Sequence, residues 1–131
     1  MIVVDASALG LALLDEGPLG DRARRELRAD SRWVMPEHWT VEILSVIRGN
    51  LLGGKITQGH ASDAVDAVAA VAPEVPLTRT LVARVWELRG NLTAYDAAYV
   101  AAAEAYRCPL LTADGKLARA CGVRCPVILL D

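Results

Sequence analysis

Four acidic residues carry the chemistry legible in this chain: Asp5, Glu42, Asp96 and Asp114. Asp5 follows the apolar run at 2–4. Glu42 stands among Val41, Ile43 and Leu44, Asp96 comes three residues after Thr93, and Asp114 comes two after Thr112. Carboxylates brought together repel and raise one another's pKa. A divalent cation removes that conflict, and an all-oxygen donor set suits Mg²⁺ or Mn²⁺, held by a few carboxylates and several waters. Such an ion activates a water and shields phosphate charge in phosphodiester cleavage. His38 and His60 have no spacing that suggests catalysis, so the nucleophile would be a metal-bound water.

Each acid also has a plainer reading. Asp5 suits an N-cap for the turn Asp5-Ala6-Ser7-Ala8. Asp96 completes a capping-box pattern begun by Thr93, and acids are favoured near helix starts. Asp114-Gly115 is a turn dipeptide. Glu42 could face solvent at the edge of its apolar stripe. Capping and catalysis are compatible, so both readings stay open.

The elements that must position these acids alternate in type. Apolar β-type runs at 2–4, 33–35, 75–77, 110–112 and 127–130 are apolar on both alternations, as strands covered on both faces are. Between them, helical spacing predicts helices over 19–29, 37–52, 57–72, 79–89, 93–106 and 116–121. The pattern predicts a three-layer α/β/α sandwich, class α/β, with a mainly parallel five-stranded sheet in one domain over 1–131. Two successive helices, 37–52 and 57–72, suggest a hairpin partly outside the sheet and a candidate dimer or partner surface. Ligands of open α/β sheets bind beyond the carboxyl ends of the strands. Asp5, Glu42, Asp96 and Asp114 should therefore gather at one sheet edge.

Composition narrows the function. A chain of 131 residues, 53% apolar and 23% charged, has the makeup of a globular domain. Sixteen acids against fourteen bases leave a net charge of −2. Nucleic acid cannot be held by bulk charge, so phosphate contacts need a local patch or metal ions. No apolar run is long enough for a membrane span, the N-terminal segment does not read as an export signal, and three cysteines cannot all pair. A reducing, cytoplasmic location is the expectation.

The acids in this order, with their flanking residues, resemble the PIN-domain family, and within it the VapC-type toxins of bacterial toxin–antitoxin pairs. The carrying segments are IVVDASA at 2–8, PEHWTVEIL at 36–44, TAYDAAYVA at 93–101 and PLLTADGKL at 109–117. The resemblance spans the whole chain. It implies a Mg²⁺- or Mn²⁺-dependent endoribonuclease with Asp5, Glu42, Asp96 and Asp114 as the acidic quartet. Ser7 and Thr112 match accessory hydroxyls that orient carboxylates or waters. Some members carry a further acid two residues after the last; this chain has Lys116 there, which puts a strict two-metal mechanism in doubt. The family also implies a homodimer and a cognate VapB-type antitoxin whose tail blocks the site. An acid-lined groove would attract an arginine from such a partner. Arg22, Arg24, Arg25 and Arg28 form one candidate RNA-facing surface, or a solvated helix face.

Other features point elsewhere. Cys108, Cys121 and Cys125 lack a clear fourth zinc ligand. Trp33, Trp39 and Trp86 are expected as core fillers, and Tyr95 and Tyr99 as packing residues. Two rival functions remain: a non-catalytic module keeping the fold, and a phosphotransfer enzyme with Asp5 as nucleophile. The second usually has another Asp two residues on, where this chain has Ser7.

Overall fold

A computed structural model describes all residues, 1–131. Its elements are β1 (Ile2–Val4), α1 (Ala6–Leu14), α2 (Pro18–Ala29), β2 (Trp33–Val34), α3 (Trp39–Leu52) and α4 (Gln58–Ala70). A 3₁₀ turn (Thr78–Thr80), α5 (Val82–Glu87), α6 (Ala94–Tyr106), β3 (Leu110–Thr112), α7 (Gly115–Ala118) and β4 (Val127–Leu129) follow. The strands run parallel in the order β2-β1-β3-β4.

The expected coverage of both faces is present. Ile2, Val4, Met35 and Leu111 join one core with α1 to α4; Val3, Val34 and Leu110 join the other with residues of α6 and α7. Alternate residues of a strand point to opposite faces, so both faces must be apolar to be covered.

The sheet has four strands, where five were expected. Residues 75–77 form no strand. The chain beside β2 makes one isolated bridge, Val34 to Glu74, through Met35 N–H to Glu74 O (3.0 Å) and Glu74 N–H to Trp33 O (2.8 Å). Pro73 and Pro76 flank that bridge and have no N–H to extend a ladder, which confines the pairing to one residue.

The helix α1 was not anticipated. Its sequence, ASALGLALL, is apolar nearly all round and so shows little periodic contrast. It is central here: α2, α3 and α4 all pack on it. Gly20 of α2 makes the closest approach, because a Cβ there would lie 1.9 Å from the Asp15 carbonyl oxygen. The expected helix over 79–89 is instead the 3₁₀ turn plus the short α5. The α3–α4 hairpin packs on α1 rather than on the strands, with Ile43, Ile47, Ala61, Ala64 and Val68 inward.

Two aromatic expectations are corrected. Trp86 is 66% exposed and Tyr95 is 64% exposed, so neither fills the core. Trp86 instead lies under the Arg89 guanidinium, 4.6 Å from its ring centroid. Trp39 and Tyr99 are buried as expected.

Candidate active site

The parallel order carries the ends of β1 and β3 to the same edge of the sheet, side by side. Asp5 follows β1 and Asp114 lies two residues past β3. All four acids stand at helix starts: Asp5 and Asp114 are the N-cap residues of α1 and α7, while Glu42 and Asp96 lie in the first turns of α3 and α6. The unpaired N–H groups and dipoles of helix starts favour negative charge, which helps four carboxylates coexist.

Asp5 is the most enclosed, at 5% exposure. Although it occupies the N-cap position, its carboxylate makes no capping bond. Its Oδ2 accepts from Ser7 Oγ and from Thr112 Oγ1, both at 2.6 Å. Ser7 Oγ also accepts from Ala113 N–H (2.9 Å), and Thr112 Oγ1 from Asp114 N–H (3.0 Å). Backbone bonds from the loop after β3 thus set the hydroxyls that set Asp5. Burial pushes the Asp5 carboxyl upward, the two hydroxyl bonds oppose that, and the charge of Glu42 adds to it.

Asp114 does cap its helix: Oδ1 accepts from Lys116 N–H (2.8 Å) and Leu117 N–H (3.3 Å). Asp96 belongs to half a capping box, in which Thr93 Oγ1 accepts from Asp96 N–H at 3.2 Å. Its own carboxyl is pushed up by burial first, then by the charges of Asp5, Asp114 and Glu42. The four acids therefore share one electrostatic neighbourhood. No ion pair of the molecule involves Asp5, Asp96 or Asp114.

Glu42 has company that its sequence neighbourhood did not reveal. Its Oε1 lies 2.8 Å from His38 Nε2 and accepts from the Tyr99 hydroxyl at 2.9 Å. Spacing alone gives His38 no catalytic role and predicts only packing for Tyr99; the structure gives each a polar contact to Glu42. The signals were present: His38 is one helical turn before Glu42, and Tyr99 is three residues after Asp96 on α6.

The donor set fits a hard divalent cation in character. No three acidic, histidine or cysteine side chains stand close enough together to hold one metal ion among them. Mg²⁺ does not need three, because it keeps several waters and binds through one or two carboxylates. Of the three cysteines, Cys108 is buried and Cys121 is exposed. Of the basic face on α2, Arg24 is engaged with Ala12 O, Asp15 O and Asp21 Oδ1, and Arg22 reaches Asp131. Arg25, Arg28 and Lys116 are exposed.

The PIN-domain model matches residues 2–123. The chain belongs to the PIN-domain family. Among its relatives, ribonuclease VapC9 of Mycobacterium tuberculosis is 38% identical, the match covering 99% of this chain and 98% of that protein. Ribonuclease VapC1 of the same organism is 36% identical over 98% of this chain and 96% of its own length. In fold, the chain is similar to M. tuberculosis VapC20, described as a sarcin-ricin loop cleaving toxin, with TM-score 0.65 and 18% identity over 89% of this chain and 92% of that one. It is also similar to PAE2754 of Pyrobaculum aerophilum, with TM-score 0.68 and 22% identity over 96% of this chain and 81% of that one.

Proposed function

We propose that this protein is a Mg²⁺- or Mn²⁺-dependent endoribonuclease, a single PIN-like domain over 1–131, acting as the toxin of a VapBC-type pair. One observation carries the reading. Asp5 is a buried carboxylate with no cationic partner, fixed by two hydroxyls, in a neighbourhood where Asp96 feels the charge of Asp5, Asp114 and Glu42. Charged groups are almost never fully buried unless paired, and here the pairing partner would be a divalent cation.

Asp5, Glu42, Asp96 and Asp114 would surround the ion, one or two of them binding it directly and the others through its waters; the ion would supply an activated water and relief of phosphate charge. Ser7 and Thr112 orient the Asp5 carboxylate by donating to one oxygen, leaving Oδ1 free of them. The helix starts supply fixed dipoles around the same region. The ribonuclease names of the relatives support RNA as the substrate. The same names support a VapB-type antitoxin as partner, one that would cover the acids with a basic side chain. The homodimer remains part of the proposal, with exposed Val41, Leu44, Leu52 and Val65 of the hairpin available to a partner. The free thiols fit the cytoplasmic reading.

The test is cleavage of total RNA with Mg²⁺ or Mn²⁺ by wild type, Asp5→Asn and Asp96→Asn. Wild type should cut only with metal, and each variant should lose at least a hundredfold in rate while keeping its circular dichroism. Variants that cut at the wild-type rate would remove these residues from the site.

A further inference from the structure

We infer that His38 and Tyr99 are positioning residues that clamp one oxygen of Glu42 so that the other is presented to the metal; this rests on the metal-dependent reading above. Both contacts fall on Oε1: His38 Nε2 at 2.8 Å and the Tyr99 hydroxyl at 2.9 Å. Neither falls on Oε2. A carboxylate held from one side by two donors has lost most of its rotational freedom before any ligand arrives, and partners of this kind orient and tune metal ligands.

The geometry settles how each donor is itself held. His38 Nε2 also lies 3.1 Å from the Tyr95 carbonyl oxygen. Glu42 Oε1 and Tyr95 O are both acceptors, so Nε2 carries the hydrogen and is shared between them. The His38 ring is wedged edge-on against Tyr95 and Tyr99, with centroids 5.6 and 5.2 Å apart. Tyr99 is fully buried, and its hydroxyl donates to Glu42. Tyr99 and Asp96 both sit on α6, three residues apart, so the helix that carries one acid also aims another from α3. The clamp ties the two helices together at the place where their acids must share a ligand.

The experiment measures Mn²⁺ binding by calorimetry alongside RNA cleavage as a function of Mn²⁺ concentration. The chains compared are wild type, Tyr99→Phe, His38→Ala and His38→Gln. Tyr99→Phe keeps the buried ring and removes only the donor. His38→Gln keeps an N–H donor at similar reach. Removing a residue that hydrogen-bonds to and orients a metal ligand typically weakens metal affinity by about 10- to 100-fold. Tyr99→Phe and His38→Ala should each bind Mn²⁺ about tenfold more weakly, with cleavage at saturating Mn²⁺ within a few-fold of wild type. His38→Gln should recover most of the affinity. Wild-type Mn²⁺ affinity in folded Tyr99→Phe and His38→Ala would overturn the clamp while leaving the nuclease reading intact. A wild type that neither binds Mn²⁺ nor cuts RNA would overturn the nuclease reading, and the clamp with it.

Discussion

Thr112 and Asp5, 107 positions apart in the chain, meet through a 2.6 Å hydrogen bond at the shared end of two neighbouring strands. The Thr112 hydroxyl is wholly buried, and the same oxygen receives the Asp114 N–H. It therefore connects the chain segments that bear two of the four acids.

Replacing Thr112 by Val keeps the shape and deletes that link. Losing a buried hydrogen bond to a charged acceptor costs about 1.5–3 kcal/mol. Thr112→Val should lower stability by that order in urea titration. It should also slow RNA cleavage at least tenfold, because Asp5 and the loop bearing Asp114 lose their common anchor. Unchanged cleavage would show that Ser7 alone orients Asp5.

The acids work against the fold when no cation is bound. Burial raises the folded-state pKa of Asp5 and of Asp96 above the ordinary aspartate value. A carboxyl with a raised folded pKa contributes stability that is fully present below its unfolded pKa and is lost as pH rises through the folded value. Without metal, Asp5→Asn should therefore melt higher than wild type at pH 7, by up to a few degrees, roughly what 1 kcal/mol gives in a domain of this size. The difference should close near pH 3, where both chains are neutral at that position. Thermal melts in chelator at the two pH values check this, and an Asn variant that melts well below wild type at pH 7 would contradict it.

Metal binding should show the opposite face of the same effect. Ligands must be deprotonated to bind a cation, so affinity falls with pH. Because Asp5 and Asp96 hold their protons more tightly than free aspartate, Mn²⁺ affinity followed from neutral pH down towards the ordinary aspartate range should begin to decline at a higher pH than unperturbed aspartates would give. Proton release on binding should be measurable by calorimetry in buffers of different ionisation enthalpy. A flat affinity over that range would argue against ligation by these two residues.

A fourth expectation concerns a lock away from the acids. Arg84 on α5 meets Glu104 on α6 through Nε (2.7 Å) and Nη2 (3.0 Å), and Nη2 also donates to Gly122 O. Arg124 N–H donates to Glu104 as well (2.9 Å). Despite the burial that opposes it, Glu104 titrates below the usual glutamate range because Arg84 and the Arg124 N–H hold its charged form. Its contribution is present above the unfolded pKa and lost as pH falls through the folded one. Glu104→Gln should cost on the order of 1 kcal/mol at pH 7 and less in acid, with RNA cleavage unchanged. A large loss of activity would mean that α5 communicates with the acidic edge.

Much of this molecule was determined by local pattern. The apolar runs at 2–4 and 110–112 could be read as strands because both of their faces need cover, and β1 and β3 match them. The end of α3 at Leu52 and the Thr93 cap were legible because they depend on residues within a turn of one another. The four acids could be named from residue type and flanking motif. What the tertiary structure decided is everything that depends on partners distant in sequence. α1 escaped notice because an element apolar all round has no face to read. The fifth strand is reduced to the single Val34–Glu74 bridge because Pro73 and Pro76 lack the N–H groups that would extend it, a local signal the apolar pattern at 75–77 conceals. Asp5 looks like an N-cap until Thr112 arrives beside it from the neighbouring strand. His38 becomes a donor to Glu42 with a fixed ring only once α6 brings Tyr95 and Tyr99 against it. Spacing along a chain encodes local geometry, but which donor reaches which acceptor is settled when the sheet closes and brings remote segments together.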